Sequence, residues 1–510
     1  MKKFQLSFLA ALSILYVGCS STQPKTGNLS RANTEATLNP DLVTSYKKEK
    51  LINNPDNGYR GIWYKIGETG DEYAHKYSGG LATYPSNHYP FSVYVPKVDK
   101  TFFCYGGTTS TNSTLLHEVS YFDHKRGTVP RPTIVLDKAT TDAHDNPVIQ
   151  VDKAGYIWLF STAHGKGRPS FIHKSLKPYD ISKFEKVDAI KIENGKKVRM
   201  DNFSYLQIYY TEKDGFLGLF TSYELRSLAL GKQSCRDIGF MTSKDGKEWS
   251  EWKFLAQIEE GSYQTSGQWK NRIGTAFNFH PNRAVKRGLD YRTNLYFMFT
   301  DDHGKSWQTA DGKIVKTPLS SIPNEALVYD YNSEGLNVYI NDVNYDAKGN
   351  PIILYEVGNG PNPGPKNGMK QWYTAYWNAK KWNISAVAQS DHNYDMGSLY
   401  VEKNGDWKVI APTGSGPQLY NTGGEISMLI SKDKGQSWII EKQLTINSKK
   451  NHSYPRRPLN ANPGFYAFWA DGNARALSGS SLYFSDQQGN TYRLPENMSG
   501  ESMKPLLLNK

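Results

Sequence analysis

A turn motif that occurs three times constrains the fold of this 510-residue chain most strongly. Residues 243–249, 300–307 and 431–438 each carry an Asp, then a Gly, then a Trp, and each follows an apolar or aromatic run. In such a turn the Asp side chain can accept backbone N–H bonds, Gly adopts a positive φ, and Trp packs back on the strands. The motif therefore predicts repeated strand–turn–strand hairpins.

The spacing of these turns predicts a ring of similar units. Asp245, Asp302 and Asp433 recur at roughly 60 residues or about twice that interval, which suits four-stranded propeller blades. The chain has 34 Tyr, 12 Trp and 44 Gly, residue types that favour strands and tight turns rather than helical bundles. We therefore predict an all-β fold, a seven-bladed β-propeller with six or eight blades as alternatives, with residues 46–510 forming one domain.

The first residues have the layout of a secretory signal. Two lysines precede an apolar run within residues 1–18, and this run is short for a membrane span. Gly18 before Cys19 and the polar residues after it resemble a bacterial lipoprotein cleavage site. We expect a signal peptide over 1–18, a lipid on Cys19 and a flexible tether over 19–45. This predicts a lipid-anchored protein of the bacterial cell envelope, with ordinary secretion as the alternative.

The charge balance favours an anionic partner. Lys and Arg number 61 against 49 Asp and Glu, a formal net charge of +12. No helix-turn-helix, zinc-finger or RNA-binding signature accompanies the excess, so we expect no nucleic-acid partner. Cys104 and Cys235 follow the leader, and their spacing leaves buried thiols, a disulfide and part of a metal site as alternatives.

Candidate catalytic residues occur at the ends of successive predicted strands. His144 lies just before one apolar run, and His164 lies at the end of the next, so a hairpin would bring both rings to one end of a blade. Tyr205 and Tyr210 lie on a following strand, and Arg226 lies on its partner. These residue types can move protons and bind anions.

Other polar and basic residues lie in loops or beside strands. Together they would form a groove that grips a polyanion, whereas taken singly each could be a solvated loop residue. The candidate substrate-binding residues are Lys76, His88, Asn146, Tyr210, His280, Arg283, Arg292 and His452.

Several segments in order resemble the BNR-4 repeat proteins, and more narrowly the ulvan lyases of polysaccharide lyase family 25, which is related to family 24. These segments are 58–64, 76–81, 102–107, 142–147 and 274–281, together with the three turns, which resemble Asp boxes. The resemblance implies a seven-bladed propeller that cleaves ulvan, a sulfated algal polysaccharide containing uronic acid, by β-elimination.

The resemblance also implies a catalytic set of two His, a Tyr and an Arg. His144, His164 and Tyr205 match the first three. The position implied for the Arg is Ser222, and Arg226 four residues later is the candidate replacement. Tyr210 with Arg226 is a rival register.

Lyase chemistry of this kind implies no required cofactor. His280 and Cys235 are available as metal ligands, but no ligand set can be assembled, so a structural metal ion stays open. Two other functions remain as alternatives: a non-catalytic propeller that binds anionic glycans, favoured by Ser222, and a sialidase-like glycoside hydrolase, favoured by the Asp boxes.

Overall fold

A computed structural model describes residues 51–81, 87–109, 114–165, 167–283 and 290–509. The predicted signal peptide over 1–18, the predicted tether over 19–45 with Cys19, and residues 46–50 of the predicted domain lie outside these ranges. Within the described ranges the regular secondary structure is almost entirely β, and no helix there has the length and apolar character needed to cross a membrane.

The first part of the chain forms two sheets. The first sheet has eight strands, one of which comes from residues 478–480 near the end of the chain, and the second has four; the short strand at residues 129–130 belongs to neither sheet. The strands are β1 Leu51–Pro55, β2 Gly61–Glu68, β3 His75–Gly79, β4 Ser92–Val95, β5 Lys100–Gly107, β6 Leu116–Asp123, β7 Val129–Pro130, β8 Thr133–Asp137, β9 Pro147–Val151, β10 Ile157–Ser161, β11 Phe171–Ser175 and β12 Phe184–Lys186.

The middle part forms a seven-stranded, a six-stranded and a four-stranded sheet. Their strands are β13 Ile190–Glu193, β14 Lys196–Arg199, β15 Ser204–Thr211, β16 Gly215–Leu228, β17 Gly231–Ser243, β18 Glu248–Trp249, β19 Lys253–Ala256, β20 Gln264–Trp269, β21 Arg272–Phe279, β22 Thr293–Thr300, β23 Trp307–Gln308, β24 Ile314–Val315, β25 Leu327–Tyr329, β26 Asn337–Tyr345, β27 Pro351–Gly358, β28 Lys370–Trp377 and β29 Trp382–Ser390.

The last part forms a four-stranded and a five-stranded sheet, and β39 pairs separately with β7. The strands are β30 Ser398–Val401, β31 Trp407–Gly414, β32 Glu425–Ser431, β33 Ile439–Gln443, β34 Asn451–Arg456, β35 Ala467–Gly472, β36 Ser478–Ser480, β37 Leu482–Ser485, β38 Thr491–Arg493, β39 Ser502–Met503 and β40 Leu506–Leu507. Three short 3-10 turns are Pro96–Val98, Ala143–Asp145 and Pro365–Asn367.

These sheets are arranged as a propeller. In the described residues seven sheets have four or more strands, and three of them have four, the size predicted for a blade. The innermost strands contact their neighbours in order, β9 with β15, β15 with β20, β20 with β26 and β26 with β30. The first and last sheets meet where β2 and β3 lie against β35, and β36, from near the end of the chain, pairs with β2 within the first sheet. A ring of strands therefore surrounds a central axis.

The three repeated turns fold as the sequence predicts. Oδ1 of Asp245 accepts the backbone N–H of Lys247 at 2.8 Å, and Oδ1 of Asp302 accepts that of Ser306 at 2.9 Å. Gly246 has φ of 74°, and a Cβ there would lie 2.5 Å from the Trp158 ring, so the turn requires glycine. The turns thus fix the hairpins between outer strands.

The core lies between neighbouring sheets. Strands such as β22 and β27 are buried along their whole length, because each sheet packs against another sheet on both faces. Cys104 and Cys235 are buried free thiols rather than a disulfide. The inner strands are thereby held rigidly, which positions the side chains at their ends.

Candidate active site

Two histidine rings stack face to face at one end of the second sheet. His144 lies in the 3-10 turn before β9, and His164 follows β10, whose pairing with β9 aligns Pro147 with Ser161. The ring centroids are 3.8 Å apart and the planes differ by 6°. The β9–β10 hairpin therefore brings together the two histidines that the sequence singled out.

Asp142 holds both rings in one orientation. Nδ1 of His144 bonds to Oδ1 of Asp142, and Nδ1 of His164 lies 3.2 Å from Oδ2. Arg168 also donates to Asp142 Oδ2 at 2.6 Å. Because an ionised carboxylate only accepts hydrogen bonds, each ring presents Nδ1–H to it. In the neutral ring the lone pair is then on Nε2, where it can act as a base.

Burial sets the protonation states of this pair. Desolvation lowers the pKa of His144 to about 4, although the Asp142 carboxylate opposes the shift. Burial alone would raise the pKa of Asp142, but its electrostatic interactions and hydrogen bonds with His144 and His164 hold that pKa well below its usual range. At neutral pH, Asp142 is ionised and His144 is an uncharged base.

Tyr205 lies beside the histidines at an irregularity of β15. It has a left-handed φ of 49°, and the pairing of β15 with β16 shifts register between Ser204 and Gln207. Its ring centroid is 5.5 Å from that of His144. Its pKa is raised well above 10 by burial and then by nearby Tyr223 and Tyr263, so the phenol keeps its proton.

A cluster of tyrosines surrounds Tyr205. The Tyr205 hydroxyl lies 3.3 Å from that of Tyr263 and 3.5 Å from that of Tyr223. The tyrosines come from several sheets, and most of them are buried with their rings packed edge-on against one another. The cluster, named the tyrosine ring below, consists of Tyr77, Tyr205, Tyr223, Tyr263, Tyr339, Tyr394 and Tyr454.

Three cations lie within the tyrosine ring or against it. The Arg292 guanidinium is 4.3 Å from the Tyr263 ring centroid and donates to the Tyr394 hydroxyl at 2.6 Å. Lys76 forms an ion pair with Asp290. Arg236, which the sequence reasoning missed, lies 5.1 Å from the ring of Tyr223. The site thus combines two histidines, a protonated phenol and fixed positive charge.

Arg226 does not reach this site, contrary to the sequence-based expectation. Its Nε donates to Asp237 at 3.0 Å, and its Nη1 donates to the Gln257 carbonyl at 3.2 Å. Ser222 pairs with Asp237 across the strands, so Ser222 and Arg226 lie on the same face of β16. Tyr223, which contacts Tyr205, lies on the opposite face. Because side chains alternate between the two faces of a strand, Arg226 lies on the face of β16 that turns away from Tyr205.

Three of the predicted substrate-binding residues are buried near the catalytic side chains. His88 is fully buried, with Nε2 3.2 Å from the His144 carbonyl. Asn146 donates to the Leu81 carbonyl, and His280 is buried with its ring 4.8 Å from that of Tyr263. These contacts place His88 next to His144 and His280 next to Tyr263.

Three further predicted residues are engaged elsewhere. Arg283 forms an ion pair with Glu260, and His452 accepts from the Trp469 indole at 3.1 Å. Tyr210 lies at the far end of β15, where its ring packs against Phe216. Five residues at about 3.3 Å each separate it from Tyr205 along the strand. The rival register built on Tyr210 and Arg226 is therefore not the one the fold adopts.

Asp142, His144 and His164 also offer three atoms close enough to hold a metal ion. The near-parallel rings oppose this use, because in-plane nitrogen lone pairs that run parallel cannot converge on one ion. Both Nδ1 atoms already face Asp142, and Arg168 bonds the same carboxylate. The arrangement fits hydrogen bonding better than metal ligation.

This fold and site agree with one family. The BNR repeat-containing family matches residues 101–390, and the chain belongs to it. It is 26% identical over 367 residues to an ulvan lyase of Nonlabens ulvanivorans, covering 64% of this chain and 70% of that one. It is 24% identical over 296 residues to an ulvan lyase of Alteromonas sp. (strain LOR), covering 53% of this chain and 57% of that one.

Solved structures share the fold. A polysaccharide lyase of family PL25, an ulvan lyase, aligns with a TM-score of 0.64 at 15% identity over 86% of this chain and 96% of that one. The structure of a PL25 ulvan lyase bound to -[GlcA(1-4)Rha3S]- also aligns with a TM-score of 0.64, at 14% identity over the same shares. The predicted all-β propeller is thereby confirmed.

Proposed function

We propose that this protein is a polysaccharide lyase that cleaves ulvan by β-elimination. The observation that carries the proposal is the pairing of an uncharged His144 with a protonated Tyr205 inside a ring of tyrosines and cations. Relatives named ulvan lyases, and PL25 structures of the same fold, support the same reaction. The basic residues of the site suit a sulfated, uronate-containing chain.

The reaction needs one base and one acid. The C5–H bond of the uronate breaks, its electrons form the C4=C5 double bond, and the C4–O bond breaks with its electron pair leaving on oxygen. His144 Nε2 takes the C5 proton, and the Tyr205 hydroxyl gives its proton to the leaving oxygen. Asp142 then stabilises the imidazolium that forms on His144, since its carboxylate already binds Nδ1.

One assay separates this function from its alternatives. Incubation with ulvan should produce the ultraviolet absorbance of an unsaturated uronate. A sialidase-like hydrolase would release reducing ends without that absorbance, and a non-catalytic glycan-binding propeller would bind ulvan and release neither. Absence of the chromophore with folded protein would overturn the proposal.

We also propose that elimination requires no cofactor and no metal ion. The proton transfers need only side chains of the site. Dialysis against a chelator should leave the rate of chromophore formation unchanged, and a rate that falls and is restored by one added metal would contradict this. A structural ion outside the site would instead lower thermal stability on chelation.

For location, we propose export and lipid anchoring at Cys19, with residues 46–510 as the catalytic domain. The support is the leader sequence over 1–18 and the polar segment that follows. Cys19→Ala should release the protein from the membrane fraction of its native host. Unchanged membrane association would show that the lipid on Cys19 is not the anchor.

A further inference from the structure

Elimination also needs a group that binds the uronate carboxylate, because its negative charge makes the neighbouring C5 proton hard to remove. Neither sequence-based candidate can supply it. Ser222 is buried on the face of β16 that turns away from Tyr223, and Arg226 is held by Asp237. The cation must come from another element.

Arg236 on β17 occupies the required face. It pairs directly with Tyr223 of β16, and side chains of residues that lie opposite each other in antiparallel strands share one face. Tyr223 in turn contacts the Tyr205 hydroxyl at 3.5 Å. Arg236 is therefore one side chain away from the proposed proton donor.

The surroundings of Arg236 are those of an anion site. Only 7% of the residue is exposed, and no carboxylate forms an ion pair with it within the described residues. The neighbouring carboxylates form ion pairs with other arginines: Asp237 with Arg226, and Glu260 with Arg283. Its Nε lacks a hydrogen-bond partner among the described atoms. A buried charge without a counter-ion costs stability, so a protein retains one where a ligand supplies the anion.

The tyrosines around Arg236 keep it charged without neutralising it. Burial opposes the charge, but Tyr263, Tyr223 and Tyr205 raise the pKa of Arg236 above its usual value. A planar guanidinium can bind both oxygens of a carboxylate at once, which fixes the sugar ring in orientation.

We infer that Arg236 binds the uronate carboxylate beside Tyr205 and takes the role that the resemblance placed at position 222. This inference rests on the proposed lyase function. Arg236 stays protonated throughout and exchanges no proton. It stabilises the negative charge that moves onto the carboxylate when the C5 proton leaves.

The first test removes the charge and keeps a hydrogen-bonding side chain. Arg236→Gln should lower kcat for ulvan by about 10²-fold or more. Its melting temperature should stay the same or rise, because an uncompensated buried charge is gone. Arg226→Gln is the matched control on the neighbouring strand. It breaks the ion pair with Asp237, so it should lower the melting temperature and leave kcat near wild type.

A binding measurement keeps this inference separate from the lyase function. The wild-type protein is titrated calorimetrically with a methyl glucuronoside and with its uncharged methyl ester. The acid should bind more tightly, and Arg236→Gln should abolish that preference whether or not ulvan is cleaved. If the wild-type protein forms no chromophore but still prefers the acid in an Arg236-dependent way, the result contradicts only the proposed lyase function. Near-normal turnover in Arg236→Gln, or a preference that survives it, would overturn the assignment of Arg236.

Discussion

At the scale of single residues, burial shifts the pKa values of His144 and Tyr205 in opposite directions, so that one can act as a base and the other as an acid. Desolvation disfavours the charged form of each group, so it lowers the pKa of His144 and raises that of Tyr205. At neutral pH the imidazole can accept a proton and the phenol can donate one. The sequence identified both residues but left their roles open, because the direction of each pKa shift depends on burial that only the fold creates.

Removal of the Tyr205 hydroxyl tests its role as acid. Tyr205→Phe keeps the ring and its packing against His144 but leaves no proton for the leaving oxygen. We expect turnover of ulvan to fall by roughly 10²–10⁴-fold while binding persists. Tyr210→Phe on the same strand is the control and should behave like wild type. The rate of chromophore formation measures both, and a reversed outcome would restore the rival register.

The acid limb of the activity profile tests His144. With a pKa of about 4, His144 stays uncharged until the pH falls to that region. We expect kcat/KM to fall with a midpoint near pH 4 rather than near 6.5, the ordinary value for histidine. A limb near 6.5 would mean that His144 is not the base.

The same group makes stability depend on pH. Between pH 6.5 and about 4 the unfolded chain protonates this histidine and the folded protein does not. Because the unfolded state binds more protons in that window, the free energy of unfolding falls as the pH is lowered through it. Chemical denaturation at pH 7 and pH 5 would show this trend, and His144→Gln should reduce it.

At the scale of elements, the sequence predicts hairpins well and strand irregularities poorly. The three Asp-box turns are local, since one Asp, one Gly and one Trp within eight positions fix each. The bulge at Tyr205 and the pairing of Tyr223 with Arg236 are set by register between strands. Arg236 therefore could not be found by spacing from Tyr205, although it is a cross-strand neighbour of the site.

An Asp-box carboxylate should matter for stability and not for catalysis. Asp302 accepts from Ser306 N, Ser306 Oγ and Thr300 Oγ1, at 2.9, 2.6 and 2.8 Å. Asp302→Ala should lower the free energy of unfolding by roughly 1–2 kcal/mol and leave kcat unchanged. Urea denaturation measures the loss, and Lys305→Ala in the same turn is the control. Equal stability in both variants would contradict the role of the carboxylate.

The pH dependence of that loss has a defined sign. Partial burial acts to raise the pKa of Asp302, but hydrogen bonds from Ser306 and Thr300 lower that pKa by more. A carboxyl with a lowered folded-state pKa stabilises the fold above its unfolded pKa, near 3.9, and the contribution is lost as the pH falls through the folded value. The difference between wild type and Asp302→Ala should therefore be full at pH 6 and shrink below pH 4.

At the scale of the whole molecule, the ring is closed by segments far apart in the chain. Repeat spacing predicts a closed propeller, but it does not show which strands join the ends. The structure pairs β36 with β2 and β39 with β7. Tyr59 donates its backbone N–H to the Pro495 carbonyl at 2.9 Å. Such contacts involve no periodic pattern, so sequence reasoning could not assign them.

Removal of residues 495–510 tests this closure. The truncation deletes β39 and β40 and leaves the backbone partners of β7 and β38 unpaired. It also removes the hydrogen bond from the Met498 amide to the Asn57 carbonyl, 2.6 Å long. We expect the melting temperature to fall by on the order of 5 °C or more, since several buried backbone bonds are lost together. Calorimetry measures the change, and a chain ending at Asn509 is the control.

Activity of the truncated protein shows whether loss of the last strands also affects the catalytic groups. The His144, Tyr205 and Arg236 side chains belong to the second and third sheets, and the deleted strands belong to the seam between the first and last sheets. At a temperature where the truncated protein is still folded, kcat should stay within a few-fold of wild type. A large loss of kcat in folded protein would show that closure of the ring positions the catalytic groups as well as stabilising them. An unchanged melting temperature would instead show that the seam is held by β2 and β36 without the last segment.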